Sequence, residues 1–141
     1  MNKLPKYIIS AAVVLVVLSL LLLKWTYWEP SDFRKGTLVY RMVVPTEVKA
    51  FPAWSEIALP DYSVRGADGL KPSAVTMRYH STLTLEQLAD TATKITFTCQ
   101  KNPAGGTFCE KKINAAQVIQ IIFDKGANAT TSKVEVIFSG Y

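Results

Sequence analysis

The sequence predicts an α+β protein: one N-terminal transmembrane helix, then a small domain with a mostly antiparallel sheet and two helices. Three observations carry that prediction. Tyr7 to Leu23 is an uncharged run of 17 residues dominated by Val, Leu, Ile and Ala. Several later stretches alternate apolar and polar residues with period two, as half-buried strands do. Among them lie two stretches whose apolar residues recur at helical spacing. With 141 residues, the chain holds one such domain and little more.

As a helix, the apolar run covers roughly 26 Å at 1.5 Å per residue, close to the thickness of a hydrocarbon core. Tyr7 at one end and Trp25, Tyr27 and Trp28 at the other place aromatic rings at both interfaces. No face of the run is polar, which argues against a buried helix of a soluble core. A cleavable signal peptide shares the basic start and the apolar middle. However, the run is followed by "KWTYWEP", which offers no small-residue cleavage site, and no Cys stands there to accept a lipid. The reading is an uncleaved signal anchor: 1–6 a cytoplasmic start, 7–24 the span, 25–35 a tether and 36–141 the folded domain. Lys3 and Lys6 favour a cytoplasmic start, whereas Lys24, Arg34 and Lys35 pull the other way, so charge alone leaves the orientation open. Of 16 Lys and Arg residues, 13 lie beyond Lys24, against 11 Asp and Glu. The basic character therefore belongs mostly to the membrane flank, and the clustered basic face that nucleic-acid binding needs is missing.

Within the domain, "GTLVYRMVVP" alternates Leu38, Tyr40, Met42 and Val44 on one face and predicts a strand over 37–44. Pro52, Pro60 and Pro72 then break the chain into an irregular segment. "RGADGL", with Asp68, reads as a turn. "SAVTMRYH" predicts a strand with Val75, Met77 and Tyr79 inward and Thr76, Arg78 and His80 outward. In "LTLEQLADTA", Thr84 and Gln87 have capping-box spacing and Leu83 and Leu88 that of a hydrophobic staple. "KITFTCQ" predicts a strand with Ile95, Phe97 and Cys99 on one face. "NAAQVIQIIFDKG" places Ala115, Val118, Ile119 and Ile122 at helical spacing after a capping Asn, although its Ile and Val content suits a strand as well. "SKVEVIFSGY" closes the chain as a strand with Val134, Val136 and Phe138 on one face. From residue 74 this is the β-α-β-β-α-β order of a ferredoxin-like split unit. If 115–123 is a strand, the alternative is a small β-rich, barrel-like domain.

The only two cysteines, Cys99 and Cys109, flank the turn "KNPAGG". A hairpin centred on Ala104 sets Cys99 opposite Cys109 and Lys101 opposite Thr107, within disulfide reach. Two reduced, buried thiols are the alternative. The ligand spacing of a zinc site is missing, as is a C-x-x-C redox motif. A disulfide belongs to an oxidising compartment, so the pairing breaks the tie in orientation and puts the domain in the periplasm or its eukaryotic counterpart. "NAT" at Asn128 would be a glycosylation acceptor only in a eukaryotic secretory setting.

Little in the chain points to catalysis. The lone histidine, His80, shares a strand face with Arg78, and the pair would suit a carboxylate or other anion as well as it suits a solvated sheet face. No nucleophile elbow, phosphate loop or H-E-x-x-H motif occurs, so no enzyme, cofactor or metal is expected. "AFPAWSEIALPDY" gathers Phe51, Trp54, Ile57, Leu59 and Tyr62. Aromatic residues on a proline-held loop form a binding surface for a partner protein or an apolar ligand, or else they cap the core of a small domain.

Short cytoplasmic start, single anchor and a domain of about a hundred residues with hairpin cysteines: in this layout the chain resembles the small periplasmic co-regulators that sit beside ToxR-like membrane transcription factors. The resemblance lies in length, topology and the cysteine pair. It implies a single-pass protein of the bacterial inner membrane whose periplasmic domain binds and stabilises the regulator's outer domain, and can help form a pocket for bile-type amphiphiles. The expected function is a non-enzymatic accessory subunit that binds another inner-membrane protein with a periplasmic domain, using Phe51, Trp54 and Tyr62. Two alternatives stand beside it. One is a sensor of bile salts or fatty acids through Arg78 and His80; the other is an immunity or exclusion protein that meets a foreign partner.

Overall fold

A computed structural model describes residues 4–67, 73–103, 105–127 and 130–140. Asp68 of the expected "RGADGL" turn, the hairpin centre Ala104 and Asn128 lie outside the described residues. Helix α1 spans Leu4–Thr26. Its segment Ile8–Trp25 has a mean hydropathy of 2.5 and no part of it is buried, so by length and composition it is able to cross a membrane. It stops at Thr26, ahead of Pro30.

The domain follows as β1 (Phe33–Arg34), α2 (Leu38–Val43), α3 (Thr46–Lys49), β2 (Asp61–Arg65) and β3 (Ala74–Ser81). The second half is α4 (Leu85–Lys94), β4 (Thr98–Lys101), β5 (Thr107–Lys112), β6 (Val118–Lys125) and β7 (Ser132–Ser139). The seven strands form one open antiparallel sheet in the order β1-β2-β3-β7-β6-β5-β4. The α+β class holds, and β1 and β4 are the edges.

Three expectations need correction. The strand expected over 37–44 is helix α2: the Thr37 hydroxyl accepts from the Tyr40 N–H at 3.2 Å and starts a helical turn. Tyr40 and Val44, four residues apart, enter the core, while Leu38 and Met42 are 72% and 55% exposed. Two of the four residues assigned inward thus point out, because the pattern satisfies period four as readily as period two.

The helix expected over 115–123 is a turn leading into β6. Asn114 does not cap a helix. Its Oδ1 accepts from the N–H groups of Ala116 and Gln117 at 2.9 and 2.8 Å, closing an Asx-type turn between β5 and β6. Ile119, Ile121 and Phe123 then face the core alternately. From residue 74 the order is β-α-β-β-β-β, so the ferredoxin-like order does not describe it. Although 118–125 is a strand, the sheet stays open rather than barrel-like. Third, Ile95 is not inside a strand. It caps the C-terminus of α4 and is 39% exposed, and Thr96 takes a positive φ of 72° before β4 begins at Thr98.

The remaining pattern is as expected. Val75, Met77 and Tyr79 are buried on β3, and Val134, Val136 and Phe138 are fully buried on β7. Thr84 and Gln87 form the capping box of α4, worth about 1 kcal/mol in comparable helices. That helix lays Leu88 and Ala92 on the core face of the sheet. The segment 39–54 covers the rest of that face with Tyr40, Val44, Val48, Phe51 and Trp54. The buried hydroxyls of Ser81 and Ser132 are satisfied: Ser81 donates to the Trp54 carbonyl at 2.7 Å, and Ser132 to the Leu83 carbonyl at 2.8 Å.

Candidate functional site

The outer face of β3 carries Arg78 and His80, as the alternation requires. The register sets Asp61 of β2 and Glu135 of β7 on either side of Arg78, and Lys133 of β7 beside His80. The proline-punctuated segment returns along this end of the sheet, where the Ile57 N–H donates to the His80 carbonyl at 2.9 Å. That bond brings Ile57 and Leu59, 53% and 59% exposed, to the rim. Ile57, Leu59, Asp61, Arg78, His80 and Lys133 line a cleft of about 470 Å³ with an apolar lip and a polar floor.

Arg78 is the most constrained group in the cleft. Its Nη2 donates to the Ser63 hydroxyl at 2.8 Å and lies 3.9 Å from an Asp32 carboxylate oxygen. Its Nε is buried and has no hydrogen-bond partner among the described residues. An orphaned guanidinium N–H loses its hydration without compensation, and an acceptor of the right shape would recover that loss. Asp61 is engaged by Arg34 at 3.3 Å, which reduces its opposition to an anion. The arrangement is able to hold an anionic head group at Arg78 and Lys133, with an apolar body against Ile57 and Leu59. Sequence reading brought Arg78 and His80 together correctly. It did not foresee Lys133, which arrives through the β3–β7 pairing 53 residues further on, a contact without local signal.

The aromatic residues assigned to partner contact are placed differently. Tyr62 is 4% exposed, its ring 5.0 Å from that of Tyr40 and 6.1 Å from that of Phe33. Burial raises its pKa above the usual phenol value. The Phe51 ring packs edge-on against Phe138 at 5.3 Å, and Trp54 lies 6.2 Å from Phe123. The Trp54 N–H donates to the Tyr79 hydroxyl at 3.1 Å; burial pushes that hydroxyl up to about 12. Tyr62 is therefore a wall of the core and too buried to meet a partner, whereas Phe51 and Trp54, half-buried, pack on the core as a lid, the alternative raised for them above. The exposed apolar residues of the segment are Ile57 and Leu59.

The second concave region lies at the far edge of the sheet, between α4 and β4, where the cysteines meet. Cys99 and Cys109 are bonded as a disulfide with Cα atoms 4.0 Å apart. The register is the one expected, Cys99 with Cys109 and Lys101 with Thr107. Among the described residues, no three His, Cys, Asp or Glu side chains gather as a metal site requires.

Fold and site together define an α+β domain with an open cleft, behind an apolar helix. Comparison of the chain with protein-family models, with curated proteins and with solved structures gives no match.

Proposed function

We propose that the chain is a non-enzymatic, membrane-anchored accessory subunit whose folded domain binds and stabilises or regulates a partner membrane protein. The observation that carries this reading is the shortness of the link between helix and domain. Only six residues separate the end of α1 from β1. Part of that link is already bound to the sheet, with the Glu29 carboxylate accepting from the Gly66 N–H at 2.7 Å and the Pro30 carbonyl from the Val64 N–H at 2.9 Å. A domain held within about 20 Å of the helix end meets proteins of its own membrane at high effective concentration, so a modest interface suffices. The disulfide favours an oxidising compartment, and with it a domain in the periplasm of a bacterial inner-membrane protein. A ToxR-like regulator is the specific partner class that this architecture suggests.

Full-length protein, tagged and lightly cross-linked in its native membrane, is expected to co-purify with one stoichiometric membrane protein in mild detergent. Recovery of the chain alone overturns the reading.

A second reading has its own observation, the orphaned Arg78 Nε beneath an apolar rim. As a sensor of anionic amphiphiles, the protein would be stabilised against heat by taurocholate or oleate below their micellar concentrations. Arg78→Ala should abolish that shift. A wild-type melting temperature unmoved by either compound removes this reading.

A further inference from the structure

We propose that the open edge of β4, together with the flank of α4 beside it, is a docking groove for an extended, basic peptide segment of the partner protein. This rests on the partner-binding reading above and assigns it a surface and a mode, strand addition.

The edge is defined by the ladder. The Cα separation of 4.0 Å between Cys99 and Cys109 belongs to a non-hydrogen-bonded antiparallel pair. The Asn102 N–H donates to the Gly106 carbonyl at 2.8 Å, which fixes the same parity independently. Thr98, Gln100 and Asn102 therefore turn their backbone groups toward β5. Cys99 and Lys101 turn theirs off the sheet, where β4 is the last strand. Four backbone donors and acceptors on an unpaired edge are a template for another strand.

Room for that strand exists. A cleft of about 500 Å³ runs between β4 and α4, walled on the helix side by Glu86, Ala89, Asp90 and Thr93. Cys99 Sγ is 3.8 Å from both the Ala89 carbonyl oxygen and the Thr93 hydroxyl, so the disulfide closes the inner end. Ala89 and Thr93 are small and leave the wall low. At the hairpin end the groove is open at Gly105, which is exposed and where a β-carbon would meet nothing within 4 Å. An added strand needs about 4.8 Å beside β4.

Charge selects the occupant. Glu86 and Asp90 are exposed and one helical turn, about 6 Å, apart. Among the described residues neither forms an ion pair. Among the described residues, Lys101 is the one cation lining the groove, which leaves an excess of one negative charge there. Alternate residues of a strand are spaced about 6.7 Å, nearly the same repeat. A segment with Lys or Arg at alternate positions toward α4 would meet both carboxylates while its backbone pairs with Cys99 and Lys101.

The test uses the full chain in its native membrane, with the photoreactive residue p-benzoylphenylalanine placed at Ala89, at Thr76 on the outer sheet face, or at Ile57 on the cleft rim. The expected adduct forms from Ala89, on a partner segment with alternating basic residues. A synthetic peptide of that segment should bind the detergent-solubilised protein, followed by fluorescence anisotropy. Lys101→Pro removes an outward N–H without touching the ladder to β5, and should weaken binding at least tenfold, whereas Lys101→Ala should change it less than threefold. N-methylation of the peptide at alternate backbone positions should abolish binding without altering the protein. Adducts from Thr76 or Ile57 but not Ala89 overturn the groove and leave the partner reading standing. Adducts from none of the three overturn both. Peptide binding indifferent to Lys101→Pro and to N-methylation overturns strand addition.

Discussion

Replacing Phe138 by alanine is expected to lower the stability of the domain by about 4 kcal/mol, the largest effect of any single change considered. Phe138 is fully buried near the C-terminal end of β7, with Val75 of β3 and Ile119 of β6 as its register partners. Its ring stands perpendicular to that of Phe51, which roofs it at 5.3 Å. Removing the ring opens a cavity under that roof, and the sheet on three sides cannot collapse to fill it. The neighbouring Ile137 faces outward and is half-buried, so Ile137→Ala should cost well under half as much. Urea denaturation followed by tryptophan fluorescence measures both, because Trp54 stands in the same core. A loss below about 2 kcal/mol for Phe138→Ala would mean that the 39–54 segment does not roof the sheet in solution.

Loss of the disulfide should be nearly as severe. Cys99→Ser with Cys109→Ser is expected to destabilise the domain by about 3 kcal/mol, from the ten-residue separation of the two cysteines and the chain entropy their bond removes. Marginal stability of about 5–15 kcal/mol makes that a substantial share. Cys109 is fully buried, so the serine hydroxyl adds a polar group with no water to bond. Reducing the wild-type protein with dithiothreitol provides an independent measurement of the same bond. If both treatments shift the unfolding midpoint by less than about 1 kcal/mol equivalent, the β5–β6 pairing holds the hairpin without the bond.

What could be read from residues alone was whatever short-range chemistry decides. The Thr84 capping box, the alternation along β3 and β7 and the hairpin register at the cysteines all involve neighbours in sequence or across a single turn. The failures came where two periods fit one stretch. Leu38, Tyr40, Met42 and Val44 alternate as a strand would, yet on a helix they split into two pairs, Tyr40 with Val44 inward and Leu38 with Met42 outward, and the Thr37 hydroxyl caps the helical turn. At Asn114 a capping residue and a turn residue are the same residue; the β-branched run after it favoured the sheet. The cleft was half legible, since Arg78 and His80 share a strand face, while Lys133 and the bond that places Ile57 depend on distant pairing. Nothing local announces the groove, which exists only because α4 lies beside the last strand. The aromatic residues of 51–62 were visible as a cluster, but composition does not distinguish a lid over a core from a surface offered to a partner.

The position of β7 has a consequence for how the protein is made. The last strand in sequence is central in space, joining β3 on one side to β6 on the other. Until residues 132–139 are available, the two parts of the sheet have no shared neighbour, and β3 and β6 each present an unpaired edge. Folding of this domain therefore waits for β7, because no earlier strand joins the two parts of the sheet. A chain cut before residue 132 would keep two partial sheets, each with an unpaired edge strand, and is expected to be cleared by proteases rather than to persist as a weakened version of the protein.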